Sequence, residues 1–206
     1  MDNKRFMVTH SLLNSWNYAI KENPFEDATS ERDPMADFLA TLRREPIPVN
    51  EAMQNGIDFE DLVTAIVKGN ADPGHRWYNA ANEVANIVKG AQLQHRANRT
   101  VRVGDKNIFL YGRLDALKAG VIYDIKYTSN YDAGKYFDNT QHPMYFTLVP
   151  EAYGFTYLAS NGSNVWPEHY RRDETPDILP TIQHFFTWLD NQGLTQVYLD
   201  NWEALG

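Results

Sequence analysis

The chain has 206 residues, of which 43% are hydrophobic and 13% aromatic, enough to bury one core, and its net charge is −8. It contains no cysteine, which excludes disulfides, thiolate-held iron–sulfur clusters and a cysteine nucleophile, so any metal needs oxygen or imidazole ligands. No apolar run approaches about 18 residues and the N-terminus lacks a secretory signal pattern, so we expect an intracellular, cytoplasmic protein.

The negative net charge hides a segregation of charges along the chain. Residues 86–137 hold nine Lys or Arg against four Asp, whereas residues 151–206 hold two Arg against eight acidic residues. A basic middle between acidic ends suits a protein that offers one positive surface to a polyanion. A solvated run of charges has the same composition, so both interpretations remain open at this point.

Helical spacing of apolar residues dominates the first third of the chain. Residues 11–22 form a first predicted helix with Ser11 as its N-cap, and residues 24–34 read as a polar, turn-rich connection. Further helices are predicted over residues 33–44, 57–68 and 79–94, the last ending near Gly90 or slightly beyond. We therefore expect a helical front part over residues 1–95.

The apolar period changes to two in the middle of the chain, which indicates strands. Strands are predicted over residues 100–103, 108–117 and 121–129, as an antiparallel meander, and over 152–160 and 164–172. Helices are predicted over residues 137–152 and 175–192. The order predicts one α/β (α+β) domain over residues 1–206, with a mixed central sheet over 96–172 flanked by helices and with C-terminal helices over 173–206.

A two-residue turn at residues 119–120 fixes the register of the central hairpin. It places Asp115 directly opposite Asp124 and Arg113 opposite Lys126, and it gathers the apolar residues of both strands on the other face. Two opposed carboxylates repel each other unless a cation lies between them, and a divalent metal is the obvious candidate. The alternative is an exposed charged face on which Asp and Lys pair diagonally.

Glu60 lies within the apolar arc of the helix predicted over residues 57–68, whereas Asp58 and Asp61 lie at its edge or on the far side. An ionised carboxylate that faces a core must be protonated, paired with a cation or bound to a metal. A residue at the edge of the core would escape this requirement.

Four elements in order carry a family resemblance: Glu60 on a helix, GRLD at 112–115, DIK at 124–126 and QHPMY at 141–145. The set resembles the PD-(D/E)xK nucleases of the RecB type, which include lambda-exonuclease-like and CRISPR-associated-exonuclease-like domains, and the opening SLLNSW resembles the start of many of them. The resemblance implies a restriction-endonuclease-like core without an iron–sulfur cluster, in which aromatic residues such as Trp16 and Trp77 pack the core. Glu83 is the alternative helical acid.

The resemblance implies a metal-dependent DNA nuclease that hydrolyses phosphodiester bonds. One or two Mg²⁺ or Mn²⁺ ions would be held by Asp115 and Asp124, with Glu60 and the carbonyl of Ile125 as further ligands. Lys126 would position the attacking water or stabilise the developing anion. Gln141 and Tyr145, four residues apart on one helix face, would hold Lys126, the water or the DNA backbone.

The candidate nucleic-acid contacts are Arg113, Lys135 and Tyr136 beside the site, with a track of Arg96, Arg99 and Arg102. The resemblance favours an exonuclease on linear duplex or single-stranded DNA in phage or repair-type recombination, with a recombination partner protein and no membrane. Polarity, the choice between DNA and RNA and the oligomeric state stay open. The alternatives are a catalytically inactive nucleic-acid- or protein-binding module of the same fold and an unrelated assembly protein.

Overall fold

A computed structural model describes residues 5–21 and 33–204 of the chain, so most of the polar connection predicted over residues 24–34 lies outside the described residues. No helix of the described ranges is both long and apolar enough to cross a bilayer. The helices are α1 (His10–Ile20), α2 (Pro34–Leu42), α3 (Glu51–Val67), α4 (Tyr78–Val88), α5 (Gln141–Leu148), α6 (Leu179–Asn191) and α7 (Thr195–Asn201). The strands are β1 (Arg5–Val8), β2 (Gln92–Val103), β3 (Lys106–Lys118), β4 (Val121–Tyr127), β5 (Gly154–Ser160), β6 (Val165–Arg171) and β7 (Glu203–Ala204).

The predicted α/β class with a mixed sheet is confirmed. The described strands pair in the order β6-β5-β4-β3-β1-β7, and β2 pairs with β3 outside this path. The β1–β3 and β4–β5 pairs are parallel, whereas β3–β4, β5–β6 and β1–β7 are antiparallel. Parallel pairing of β4 with β5 requires a crossover, and α5 lies in the connection between them.

The chain divides into two compact units, each built from separate segments. The first comprises residues 1–48, 98–112 and 176–206, and the second comprises residues 49–97 and 113–175. The long strand β3 contributes to both units. The front part over residues 1–95, predicted to be helical, also contains β1 and the beginning of β2.

The first unit is packed around aromatic residues. Trp16 on α1 is fully buried, as predicted, and its ring lies edge-on against Phe185 of α6 with centroids 5.3 Å apart. The indole N–H of Trp202 donates to the carbonyl of Leu42 at 2.9 Å, which ties the C-terminal segment to the end of α2. Each such ring buries about 150–250 Å², so these residues contribute strongly to the stability of the core.

Two helix starts differ from the prediction. The N-cap of α1 is Thr9, whose Oγ1 accepts from the N–H of Leu12 at 3.3 Å, so Ser11 lies inside the helix. The third helix begins six residues earlier than the predicted start at 57, because Asn50 caps it through the N–H of Met53 at 2.8 Å. Thr and Asn are both preferred N-cap residues, but several such residues lie near each helix start, so residue type alone does not identify the cap.

The second unit packs α3 and α4 against one face of the sheet. Its core includes Phe59 and Trp77 from the helical side and Ala116, Ile125 and Leu158 from the strands. Trp77 is a core residue, as predicted. The charged face of the hairpin is covered at Asp124, which is 3% exposed, whereas Arg113 on the same face is exposed.

The β3–β4 hairpin has the predicted turn and register. Ala119 and Gly120 have φ values of 47° and 76°, as a two-residue turn between twisted strands requires. The paired residues are Lys118 with Val121, Leu117 with Ile122 and Ala116 with Tyr123. This register places Asp115 and Asp124 next to each other on adjacent strands, directly beyond the Ala116–Tyr123 pair at the open end of the hairpin.

Candidate active site

Asp115 lies on β3 immediately beyond the Ala116–Tyr123 pair. Its Oδ2 accepts a hydrogen bond from the backbone N–H of Ile125 on β4 at 2.8 Å. The Asp115 side chain thus accepts from the backbone N–H of the residue that follows Asp124, and this contact fixes the direction of the Asp115 carboxylate.

The electrostatic environment of Asp115 is unfavourable for its ionised form. Burial raises the pKa of Asp115 well above its ordinary value, and the charges of Asp124 and Glu60 raise it further. The ammonium of Lys126 and the N–H of Ile125 act in the opposite direction but are outweighed. Three carboxyl groups thus converge on a single lysine, and Asp115 ionises more readily if an additional cation is present.

Asp124 is the most deeply buried carboxylate of the site. Gln141 on α5 donates through Nε2 to its Oδ1, and the ammonium of Lys126 lies 2.7 Å from its Oδ2. The burial follows from topology, because β4 lies between β3 and β5 and is covered on both faces. A buried charge needs such partners, since an unpaired one costs several kcal/mol.

Lys126 keeps its positive charge at neutral pH. Burial alone would lower its pKa, but the charge of Asp124, a hydrogen bond to that residue and two further carboxylates outweigh burial and leave the pKa raised. Its side chain remains 31% exposed. Lys126 therefore offers a charged donor near the surface, and it is not a base at neutral pH.

Gln141 and Tyr145 lie on one face of α5, as predicted, but they contact other groups than expected. Gln141 donates to Asp124, and the hydroxyl of Tyr145 donates to the carbonyl of Arg113 at 3.0 Å. Both side chains are at least 97% buried. These two bonds fix the strands that carry the carboxylates, and the expected contacts with Lys126, the attacking water or the DNA backbone stay predictions.

Glu60 on α3 is half-buried, and its charge acts on both Asp115 and Lys126. Its Oε1 accepts a hydrogen bond from the side-chain amide of Gln94 on β2 at 2.7 Å. The alternative helical acid, Glu83, is exposed on α4. Of the two helical acids considered, Glu60 is the one whose charge reaches the carboxylate pair.

Two predicted nucleic-acid contacts have other roles in the structure. The ammonium of Lys135 donates to Thr128 Oγ1 at 2.5 Å and to the carbonyl of Asn130 at 2.6 Å, so it closes the loop after β4. Tyr136 is 8% exposed and its ring stacks on Tyr157 with centroids 4.4 Å apart. Tyr136 is therefore a core residue and does not present a free stacking surface for a base.

The four predicted arginines are exposed. Arg113 lies on β3, in the part of that strand that belongs to the second unit, two residues from Asp115. Arg96 belongs to the second unit, while Arg99 and Arg102 belong to the first, and Arg102 Nε donates to the carbonyl of Gly104 at 3.1 Å. The role of all four as nucleic-acid contacts stays a prediction.

Sequence reasoning missed Gln94 and the role of Glu168 on β6. The Glu168 carboxylate accepts from the hydroxyl of Tyr131 at 2.8 Å, from the N–H of Tyr136 at 3.2 Å and from the hydroxyl of Tyr170. These bonds anchor the loop after β4 to the neighbouring hairpin. Most of these partners are more than 30 residues apart, so no local spacing could have revealed them.

The donor set fits a hard divalent cation. Within the described residues no three His, Cys, Asp or Glu side chains form a complete metal-holding group. Mg²⁺ commonly uses only one or two carboxylates, with water and substrate phosphate as further ligands. Asp115 and Asp124 meet this smaller requirement, and burial together with the neighbouring carboxylates raises the pKa of Asp115, an effect that a bound cation would oppose. The carbonyl of Ile125 remains a predicted ligand.

The fold has a counterpart among solved structures. A structure described as "Crystal structure of SSO0001" matches with a TM-score of 0.53 and 14% sequence identity, over 92% of this chain and 79% of that one. At this identity the likeness concerns the α/β fold alone. No protein-family model and no curated protein matches the sequence.

Proposed function

We propose that the chain is a Mg²⁺- or Mn²⁺-dependent deoxyribonuclease of the PD-(D/E)xK type that hydrolyses phosphodiester bonds. The observation that supports this most is the meeting of Asp115, Asp124 and Lys126 in one site at the open end of the β3–β4 pairing. Carboxylates with excess negative charge suit a divalent cation, and an adjacent ammonium suits the charge that develops on a phosphate.

The roles of the residues follow from their contacts. Asp115 and Asp124, with Glu60 and the carbonyl of Ile125, would hold the cation. When bound, the cation would acidify a coordinated water and neutralise charge on the scissile phosphate. Lys126, held by Asp124 and still charged, would orient the water or stabilise the developing anion as a hydrogen-bond donor. Gln141 orients Asp124 throughout.

The proposed substrate is DNA, either linear duplex or single-stranded, and we favour exonuclease over endonuclease action. The proposed setting is cytoplasmic, in phage or repair-type recombination together with a recombination partner protein. These details rest on the sequence resemblance. The exposed Arg113, two residues from Asp115, supports a polyanionic substrate through its position beside the carboxylates.

The test is cleavage of end-labelled linear duplex, single-stranded and closed circular DNA with Mg²⁺ or Mn²⁺. Asp124→Asn and Lys126→Met are expected to lose at least about 100-fold in rate. Asp105→Asn is the matched control, because Asp105 has an 85% exposed side chain in the first unit. Cutting of linear but not circular DNA would support an exonuclease, and equal cutting by Asp124→Asn and the native chain would refute the assigned site.

A catalytically inactive binding module is the second candidate. It is favoured by the ammonium of Lys126, which lies 2.7 Å from Oδ2 of Asp124 and offsets this buried charge without a cation. Such a module would bind DNA equally well with a chelator present and would cleave none. Calorimetric titration with Mn²⁺ separates the candidates. For the nuclease, the native chain should show heat of Mn²⁺ binding and Asp124→Asn should show none, whereas the binding module has no such requirement.

A further inference from the structure

Gln94 has a backbone conformation that is unusual inside a strand. Its φ is +51°, in the left-handed region, although it lies within β2. Among the described residues, two other non-glycine residues have positive φ. Arg44 follows the C-cap of α2 and Ala119 lies in the β3–β4 turn, and both are places where left-handed residues are common. Gln94 alone of the three has neither explanation.

A left-handed backbone is unfavourable for glutamine because its Cβ crowds the following carbonyl, and glycine would avoid this. Such conformations persist where surrounding contacts determine them, and they cluster at functional sites. The contact here is the hydrogen bond from Gln94 Nε2 to Glu60 Oε1 at 2.7 Å. It joins β2 to α3 through side chains 34 residues apart.

A neutral amide is well suited to orient a carboxylate that must keep its charge. Lysine or arginine at this position would offset the charge of Glu60, whereas glutamine donates a hydrogen bond and adds no charge. The Glu60 charge consequently acts on Asp115 and Lys126. An oriented, negatively charged Glu60 beside Asp115 is what a cation-binding set requires before the cation arrives.

We propose that Gln94 is a positioning residue, whose left-handed backbone turns its amide onto Glu60 and holds that carboxylate ready for a divalent cation. This inference rests on the proposed function and adds to it a residue outside the four-element sequence pattern. In this role Gln94 acts through Glu60. Its loss should therefore weaken cation binding and leave the rate at saturating cation nearly unchanged.

The experiment is calorimetric titration of the full chain with Mn²⁺, using the native protein, Gln94→Gly, Glu60→Gln and the double variant. Gln92→Gly is the matched control, because Gln92 is an exposed glutamine at the start of the same strand. We expect Gln94→Gly to weaken Mn²⁺ binding about tenfold and Gln92→Gly to leave it unchanged, as expected for a supporting residue. The double variant should bind no more weakly than Glu60→Gln, because Gln94 acts only through Glu60.

Urea unfolding of the same variants supplies a second readout. Gln94→Gly should unfold at a midpoint no lower than Gln92→Gly, since glycine relieves the left-handed backbone. A lower midpoint with unchanged Mn²⁺ affinity would make Gln94 a link between β2 and α3 only and would overturn the inference. If the native chain cleaves DNA but Gln94→Gly binds Mn²⁺ with unaltered affinity, the inference is overturned and the proposed function is not. Absence of Mn²⁺ binding by the native chain would overturn it together with the proposed function.

Discussion

Adding one methyl group to Gly162, in the turn between β5 and β6, should strongly destabilise the second unit. A Cβ at this position would lie 2.3 Å from Cδ1 and 2.5 Å from Nε1 of the Trp77 indole. That ring is 7% exposed and packs against Phe59 and Tyr127, with centroids 6.1 Å and 4.7 Å away. Because Trp77 is enclosed, it has no open direction in which to yield.

The magnitude has two parts. Gly162 has a φ of +86°, and placing alanine in a left-handed conformation costs about 1–2 kcal/mol, partly offset by about 0.4–1 kcal/mol from the stiffer unfolded chain. Overpacking against the buried ring adds about 1–3 kcal/mol. The expected loss is about 2–4 kcal/mol, a large share of the typical 5–15 kcal/mol stability of a folded protein.

Equilibrium unfolding in urea, followed by circular dichroism, measures this loss. Gly134→Ala is the matched control, because Gly134 lies in the same unit with a φ of +82° and has nothing within 4 Å of the added Cβ. Both variants change the backbone cost and the unfolded chain equally, so their difference reports the clash with Trp77. If Gly162→Ala lost no more stability than Gly134→Ala, the packing of Trp77 described above would be wrong.

Three further predictions concern the site and its support. Asp115→Asn should raise the urea midpoint at pH 7. The pKa of Asp115 is raised in the folded state, so the protonated carboxyl stabilises the fold fully below pH 3.8 and this stabilisation is lost as the pH rises through the pKa of the folded state. The higher midpoint of Asp115→Asn should therefore disappear in unfolding measurements below pH 3.8. Arg172→Met should lower the free energy of unfolding in urea by about 2–4 kcal/mol, because the Arg172 guanidinium donates to three carbonyls at and after the end of α5 at 2.6 to 2.7 Å. Arg171→Met is the control, because Arg171 is exposed, and it should change this free energy by no more than about 0.5 kcal/mol. Tyr145→Phe should lose about 1 kcal/mol by the same method through its bond to the Arg113 carbonyl, and a neutral result would show that this bond contributes nothing.

Local patterns predicted those parts of the fold that short-range physics determines. The Ala119–Gly120 turn sets its own register, and the apolar period of α6 identifies a helix that packs on one side. The four-residue strand β1 has too few residues to show a period, and its existence depends on parallel pairing with β3 about 100 residues later. Gln92 begins β2 within a segment whose apolar spacing continued that of α4, so the change of period was not visible there.

In the candidate site, too, contacts within one hairpin could be predicted from the sequence, whereas contacts between distant segments could not. Asp115, Asp124 and Lys126 lie on adjacent strands of one hairpin, so turn geometry alone brings them together. The bonds of Gln141 to Asp124 and of Tyr145 to the Arg113 carbonyl were not predicted, since a helical face is readable from sequence but the strand that it covers is not. The parallel crossover that puts α5 over β4 is a property of the whole chain.

The way in which the carboxylates are supported argues that the site serves a purpose other than stability. A fold selected for stability alone would replace Asp115 by a neutral residue, because burial and two neighbouring negative charges oppose its ionisation. The contacts made by the Ile125 N–H and by Gln141 orient carboxylates without adding a charge to offset them. Lys126 is the one cationic partner among these contacts, and it also remains partly open to solvent. Directed carboxylates whose repulsion is left partly unrelieved are what a cation-dependent reaction needs before its cation binds, and the Mn²⁺ titrations test that requirement directly.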